Sequence, residues 1–261
     1  MVLGVLVQQA RSMHIYNVIL EITRKCNLEC EHCLRGDSQN KNMLPTVLSS
    51  LFSKVKYIDY LTISGGEPTK ALHTLELVID NLERFGVNLG RIYVATNGYN
   101  AKRKFVNLMC RLFQICEDTS LCSIDISNSI FHDNSTDDAN RMRYRMDELA
   151  REINLNCRNK YHTSHQATYS VIRMGRAAEW GHRDLKIRKE TLEFYVSYNG
   201  IVYPSCDLSY KAMLNPKLQL GNVTDSDFDV KTIEVNYNTL FIESETLIID
   251  NDGNLTPGIN E

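Results

Sequence analysis

The chain has 261 residues, 43% of them apolar and 23% charged, with a net charge of −3. That is the composition of a globular protein long enough for one large core, not of a disordered one, and its slight acidity gives no general attraction to nucleic acid. Eight cysteines in a chain of this length do not make a secreted disulfide scaffold, which is short and loop-rich, so clustered thiols in a reducing cytoplasm are expected.

Residues 1–12 contain an apolar run of six, Val2 to Val7, with no basic segment before it and no clear small-residue cleavage site after it. Neither a signal peptide nor a membrane span is expected, and residues 1–12 read as an N-terminal extension ahead of the first strand pattern at Met13. "IYNVILEI" (15–22) is β-branched and aromatic, as a strand requires. Leu44, Val47, Leu48, Leu51, Phe52 and Val55 recur at three and four, a helical stripe. "YLTIS" (60–64) is a strand ending in Gly65-Gly66, and a helix is expected over about 70–85. "RIYVAT" (91–96) is a strand closed by the turn pair Asn97-Gly98, followed by a helix through Phe105, Leu108, Leu112 and Ile115. "LCSIDIS" (121–127) is the fourth strand, a polar helix is expected over about 137–155, and "ATYSVIRM" (167–174) is read as a fifth strand. "TLEFYVSYNGIVYPSC" predicts two strands joined at Asn199-Gly200. The tail, 222–261, shows short β-like pieces, "TLFIES" and "TLIID", with a turn at "NDGN".

Charge is uneven along the chain. Residues 141–190 hold twelve Arg/Lys against six Asp/Glu, and residues 222–261 hold one Lys against nine acids. The basic stretch reads either as a solvated face or as a surface for an anionic ligand.

Repeated strand–helix units imply parallel strands, with functional groups at the strands' C-terminal ends. The distinctive residues do fall there. Cys26, Cys30 and Cys33 follow the first strand with C-x3-C-x2-C spacing. Gly65-Gly66-Glu67-Pro68 follows the second, Thr96-Asn97-Gly98 closes the third, and Ser123 and Asp125 alternate with apolar residues in the fourth. Structural zinc wants four ligands, commonly as two separated pairs, and no second C-x-x-C occurs downstream. Three thiolates suit a [4Fe–4S] cluster with one iron left open. Cys110, Cys116 and Cys122 read as small buried hydrophobes.

This order of strand, C-x3-C-x2-C, helix, strand, GGEP, helix and strand over about residues 13–180 resembles the radical S-adenosylmethionine (radical SAM) superfamily. The resemblance implies an α/β fold: a partial (β/α)6 TIM-type barrel over 13–190 with a small β-rich C-terminal extension over 191–261. It implies a cluster on Cys26, Cys30 and Cys33 whose open iron binds S-adenosylmethionine. Cleavage then yields a 5′-deoxyadenosyl radical that takes hydrogen from a peptide or small-molecule substrate. It places His32, Gly65, Gly66, Glu67, Thr96, Asn97, Ser123 and Asp125 around the cofactor, with Arg141 or Arg143 on its carboxylate. An electron donor such as flavodoxin or ferredoxin is implied. "YNGIVYPSCDLSY" and "LGNV" resemble the extension of SPASM or twitch-type members, with Cys206, Asp207 and Tyr203 as candidate substrate contacts and Gly175 as a position of close approach. No cysteine follows Cys206, so a complete auxiliary-cluster motif is missing. The alternatives are a nucleotide- or nucleic-acid-modifying radical enzyme, and a catalytically silent accessory protein that binds the cluster and cofactor.

Overall fold

A computed structural model of the chain describes residues 13–98, 102–128, 131–132, 144, 156–161 and 171–258. Its framework is an eight-stranded sheet in the order β5-β4-β3-β2-β1-β7-β8-β9. The strands are β1 (Met13–Glu21), β2 (Val55–Ser64), β3 (Asn88–Thr96), β4 (Ser123–Asn128), β5 (Asn156–Tyr161), β7 (Phe194–Val196), β8 (Ile201–Tyr203) and β9 (Gly221–Asn222). Pairing is parallel from β5 through β1 to β7, and antiparallel for the last two. β1 lies at the centre, and Val18, Leu20 and Ile22 at its end are fully buried. From Val18 to Glu21 the strand is buried residue after residue, as one covered on both faces is, whereas His14 and Tyr16 face outward in its first half.

The connections are helical. α1 (Pro45–Lys54) begins with proline at its first helical position, where no amide donor is needed, and buries Val47, Leu48, Leu51 and Phe52. Burying each of these side chains stabilises the fold by about 1.5–3 kcal/mol. α2 (Leu72–Phe85) is preceded by a separate 3-10 turn, Pro68–Ala71, where one helix over 70–85 was expected. Ala71, at φ −129° and ψ 42°, separates the two, and Glu67 caps the start of the short turn by accepting from the Thr69 amide. α3 (Arg103–Ile115) buries Phe105, Leu108 and Leu112 as its stripe requires. The fourth strand starts at Ser123, because Asp118 caps a 3-10 turn over Thr119–Leu121.

Three expectations for the second half change. β5 is Asn156–Tyr161, whereas the fifth strand was expected at 167–174. Of that stretch the described part, 171–174, contributes one bridge, Ile172 to Arg183. "TLFIES" is no strand: its start closes α4 (Val230–Thr239), which buries Ile233 and Tyr237. Phe241 packs on Tyr237 with ring centroids 5.0 Å apart. β6 (Leu185–Arg188) was not expected; it joins β10 (Thr246–Ile249) and β11 (Leu255–Pro257) in an antiparallel sheet of order β11-β10-β6. The hairpin at Asn199-Gly200 forms as expected. The polar helix expected over 137–155 and residues 1–12 lie outside the described residues, apart from Tyr144. Among the described residues no helix is long and apolar enough to cross a membrane.

Candidate functional site

Parallel pairing aligns the ends of β1 to β4. Glu21 stands opposite Ser64, Ile63 opposite Val94, and Thr96 opposite Ile126. The cysteine loop, the Gly65-Gly66 segment and Asn97 therefore leave the sheet along one edge, where a parallel sheet places its functional groups.

The cysteine loop is pinned at its base. Thr23 Oγ1 donates to Lys41 O at 3.0 Å and to Asn42 Oδ1 at 2.8 Å, and the Arg24 amide donates to Lys41 O at 2.9 Å. Inside the loop the Cys26 amide donates to Ser38 Oγ at 2.8 Å, and the Cys33 amide to Cys30 O at 3.1 Å. The two glycines press on its entrance. A Cβ on Gly65 would lie 2.3 Å from Thr23 O, and one on Gly66 2.3 Å from Lys25 O. The absence of a Cβ at both positions is thus used by the loop's own backbone. The Gly66 and Glu67 amides donate to Thr23 O and Lys25 O, both at 2.7 Å. Among the described residues no hydrogen bond reaches the carbonyls of Gly65 and Gly66, so these remain available as acceptors.

Glu67 is 1% exposed, and four donors fill its carboxylate. Oε1 accepts from the Thr69 amide at 2.9 Å, from Thr69 Oγ1 at 2.7 Å and from Thr96 Oγ1 at 2.6 Å; Oε2 accepts from the Asn97 amide at 2.7 Å. Burial pushes the carboxyl above its usual range, and the four donors pull it back only in part. Glu67 is thereby a brace between the ends of β2 and β3.

A cleft of ≈150 Å³ opens above these elements, lined by Cys26, Cys30, Cys33, His32, Gly65, Gly66, Glu67, Thr96 and Asn97. Nine expected positions thus meet on one surface. Ser123 and Asp125 are buried lower in β4 and do not line the cleft; Asp125 accepts a hydrogen bond from the Tyr93 hydroxyl instead. Ser127, on the same face and nearer the strand's end, does line it, as do Ser64, Ala95, Leu28 and His132. Continuing the 123–125 alternation one step would have found Ser127. The His32 ring lies 4.8 Å from Phe131 and 5.2 Å from His132, and Phe131 lies 5.7 Å from Trp180. Aromatic rings therefore wall one side. Arg141 and Arg143 lie outside the described residues.

None of the seven described cysteines is in a disulfide. Burial pushes the Cys26 and Cys30 thiols up, Cys30 to about 11, with the neighbouring thiolates adding to the Cys30 shift. Mutual repulsion of this kind is relieved by a cation, whose binding displaces the protons. Cys26, Cys30 and Cys33 line one cleft together, and three thiols are the donor set that a [4Fe–4S] group with one open iron takes.

The rest of the chain backs this loop. The Arg176 amide donates to Cys33 O at 3.0 Å, and its guanidinium to Cys30 O at 3.4 Å and to Asp37 at 3.1 Å. Gly175, at φ 57°, leaves no room for a side chain beside Cys33 O, and its amide donates to Asn251 Oδ1 at 2.8 Å. Arg24 Nε donates to the buried Glu21 at 2.9 Å, and its guanidinium lies 4.7 Å from the Tyr198 ring and 4.2 Å from that of Tyr210. The candidate substrate contacts Cys206, Asp207 and Tyr203 lie outside the cleft lining. The Tyr203 hydroxyl is spent on Met213 O at 3.0 Å, and the Cys206 amide on Glu193 at 2.7 Å. Burial pushes both the Cys206 thiol and the Asp207 carboxyl up.

No protein-family model and no curated protein sequence matches the chain. Among solved structures it is similar to native anSMEcpe with bound AdoMet and the Cp18Cys peptide, at a TM-score of 0.56 and 14% identity over 87% of this chain and 82% of that one. It is also similar to native anSMEcpe with bound AdoMet and the Kp18Cys peptide, at a TM-score of 0.57 and 15% identity over 87% and 83%. At such identities the likeness is one of fold: an α/β fold with a mostly parallel central sheet.

Proposed function

We propose that the chain is a radical SAM enzyme that takes hydrogen from a peptide substrate. The observation that carries this reading is the meeting of Cys26, Cys30 and Cys33 with Gly65, Gly66, Thr96 and Asn97 on one cleft at the sheet's edge. The fold neighbours hold AdoMet together with a peptide, which supports the same pair of ligands here. When bound, the cluster and S-adenosylmethionine supply the 5′-deoxyadenosyl radical; the protein's part is to bind, orient and shield.

Cys26, Cys30 and Cys33 hold the cluster. The free carbonyls of Gly65 and Gly66 accept from the cofactor's amino group, and Thr96 and Asn97, held by Glu67, border it. His32, backed by Phe131 and His132, offers a ring face to the adenine. Ser127 takes the place at the end of β4 that had been expected of Ser123 and Asp125. An electron donor such as flavodoxin or ferredoxin is the proposed reductant, and the sheet is proposed as the wall of a partial (β/α)6 barrel.

The test is 5′-deoxyadenosine release from anaerobically reconstituted protein given dithionite and S-adenosylmethionine, beside the Cys26→Ala, Cys30→Ala, Cys33→Ala variant. Release by the wild type alone is expected. A protein that never takes up iron sinks the reading.

A further inference from the structure

Behind the cysteine loop lies a second and larger cavity, ≈550 Å³, between the loop, the Gly175-Arg176 turn and the C-terminal segment. It shares no lining residue with the cleft above the thiols. A narrow pocket lined by the three cysteines together with Arg24, Arg35, Arg176 and Tyr210 joins the two regions.

Four cations line the large cavity: Arg24, Arg35, Arg176 and Lys211. Three have a carboxylate partner: Arg24 pairs with Glu21, Arg176 with Asp37 and Lys211 with Asp252. Arg35 has none within ion-pair distance among the described residues, although it is 9% exposed. Its guanidinium donates to Leu208 O at 2.7 Å and lies 4.6 Å from the Tyr195 ring, which leaves further N–H donors unused. The charge of Glu21 reaches it without an ion-pair contact: Arg24 takes Oε2 of that carboxylate, and Oε1 is buried without a hydrogen-bond partner among the described residues. A buried cation without its own anion is costly, and here it stands in the wall of an open cavity.

The ligand's chemistry follows from the other lining groups. Phosphate sites use backbone amides at a nest or helix start. Here the amides of Gly36, Gly175, Arg176 and Tyr210 are all spent within the protein. What remains is a guanidinium fork, which pairs with a carboxylate or a phosphate; without an amide nest beside it, it offers the in-plane pair of contacts that a planar carboxylate uses in full. The rim carries Lys211 and Leu214, the latter 77% exposed, so a chain with an apolar neighbour beside its acid fits the entrance. We infer that this cavity binds a carboxylate-bearing ligand on Arg35, and, resting on the peptide reading above, that the carboxylate is an acidic group of the substrate peptide.

The experiment is calorimetric titration of the full chain as isolated, with or without a cluster, in the absence of S-adenosylmethionine. The probes are a capped oligoglutamate peptide, its oligoglutamine counterpart, glutarate and inorganic phosphate, and the variants are Arg35→Lys and Leu214→Asp. The glutamate peptide should bind and the glutamine peptide should not, with affinity falling as salt rises. Leu214→Asp, a surface change that sets a like charge at the entrance, should weaken binding roughly tenfold. Arg35→Lys should weaken it too by losing the fork; if that variant does not fold, Leu214→Asp decides. Absence of binding, or binding untouched by Leu214→Asp, overturns the site. Phosphate binding without glutamate binding overturns its chemistry, and glutarate binding as tightly as the peptide overturns the peptide source. Binding does not depend on 5′-deoxyadenosine release, so this inference and the proposed activity fail separately.

Discussion

Replacing Gly175 by alanine tests whether the turn behind the cysteine loop positions it. Gly175 sits at φ 57°, and a Cβ there would lie 2.4 Å from Cys33 O, 2.5 Å from Gly36 N and 2.5 Å from Leu34 O. The left-handed backbone alone costs alanine about 1–2 kcal/mol. The clash is with backbone, which cannot swing aside, and adds about 1–3 kcal/mol of overpacking. Gly86 is a natural control: its φ is 56°, and nothing lies within 4 Å of a Cβ built on it. Gly86→Ala should therefore cost only the backbone component, while Gly175→Ala should cost about 2–5 kcal/mol in all. Urea denaturation of both variants gives the difference, since a fall in midpoint at constant slope reports stability. Iron bound per chain after anaerobic reconstitution gives the second readout, and should fall for Gly175→Ala alone. Equal midpoints and equal iron content in the two variants would refute the clamp.

Three further outcomes are expected. With the folded pKa of Glu67 raised, its favourable contribution is complete below the usual carboxyl pKa and is lost as pH rises through the raised value. The stability of the wild type relative to Glu67→Gln should therefore shrink over that window; a difference that grows with pH would mean the four donors outweigh burial. Arg24→Met strands the fully buried Glu21 and should cost about 3–5 kcal/mol, whereas Arg24→Met with Glu21→Gln should cost clearly less. Thermal unfolding of the cycle measures this, and strictly additive losses would count against a pair. Each of Cys26→Ala, Cys30→Ala and Cys33→Ala should lose the iron–sulfur absorbance, so a variant keeping full colour removes that residue from the ligand set.

The first half of the fold was legible in the sequence because each strand there is an apolar run and each helix an amphipathic stripe. Leu75, Val78, Ile79 and Leu82 all face the core as their spacing says. The second half was less so, for physical reasons. α4 shows its period only through Val230, Ile233 and Tyr237, spaced among polar residues, and the β-branched residues around it favour a strand reading. β6 is four residues long and owes its existence to β10, some sixty positions away, which no local pattern reveals. At the site, the cysteines and the GGEP segment were legible from their spacing. Arg24 and Arg35 were not, because what distinguishes them is burial against Tyr198, Tyr210 and Tyr195, three partners from the far end of the chain.

That last feature bears on the order in which the molecule assembles. Arg35 is held by Leu208, 173 positions further along the chain, Arg24 by Tyr210, and the Gly175 turn by Asn251. Pairings this distant are the slowest to form. Until they close, the thiols of Cys26, Cys30 and Cys33 have no backing and stand open to oxidants and to stray metals. Conditions that slow this closure should therefore raise the share of chains whose loop thiols are lost before the fold is complete.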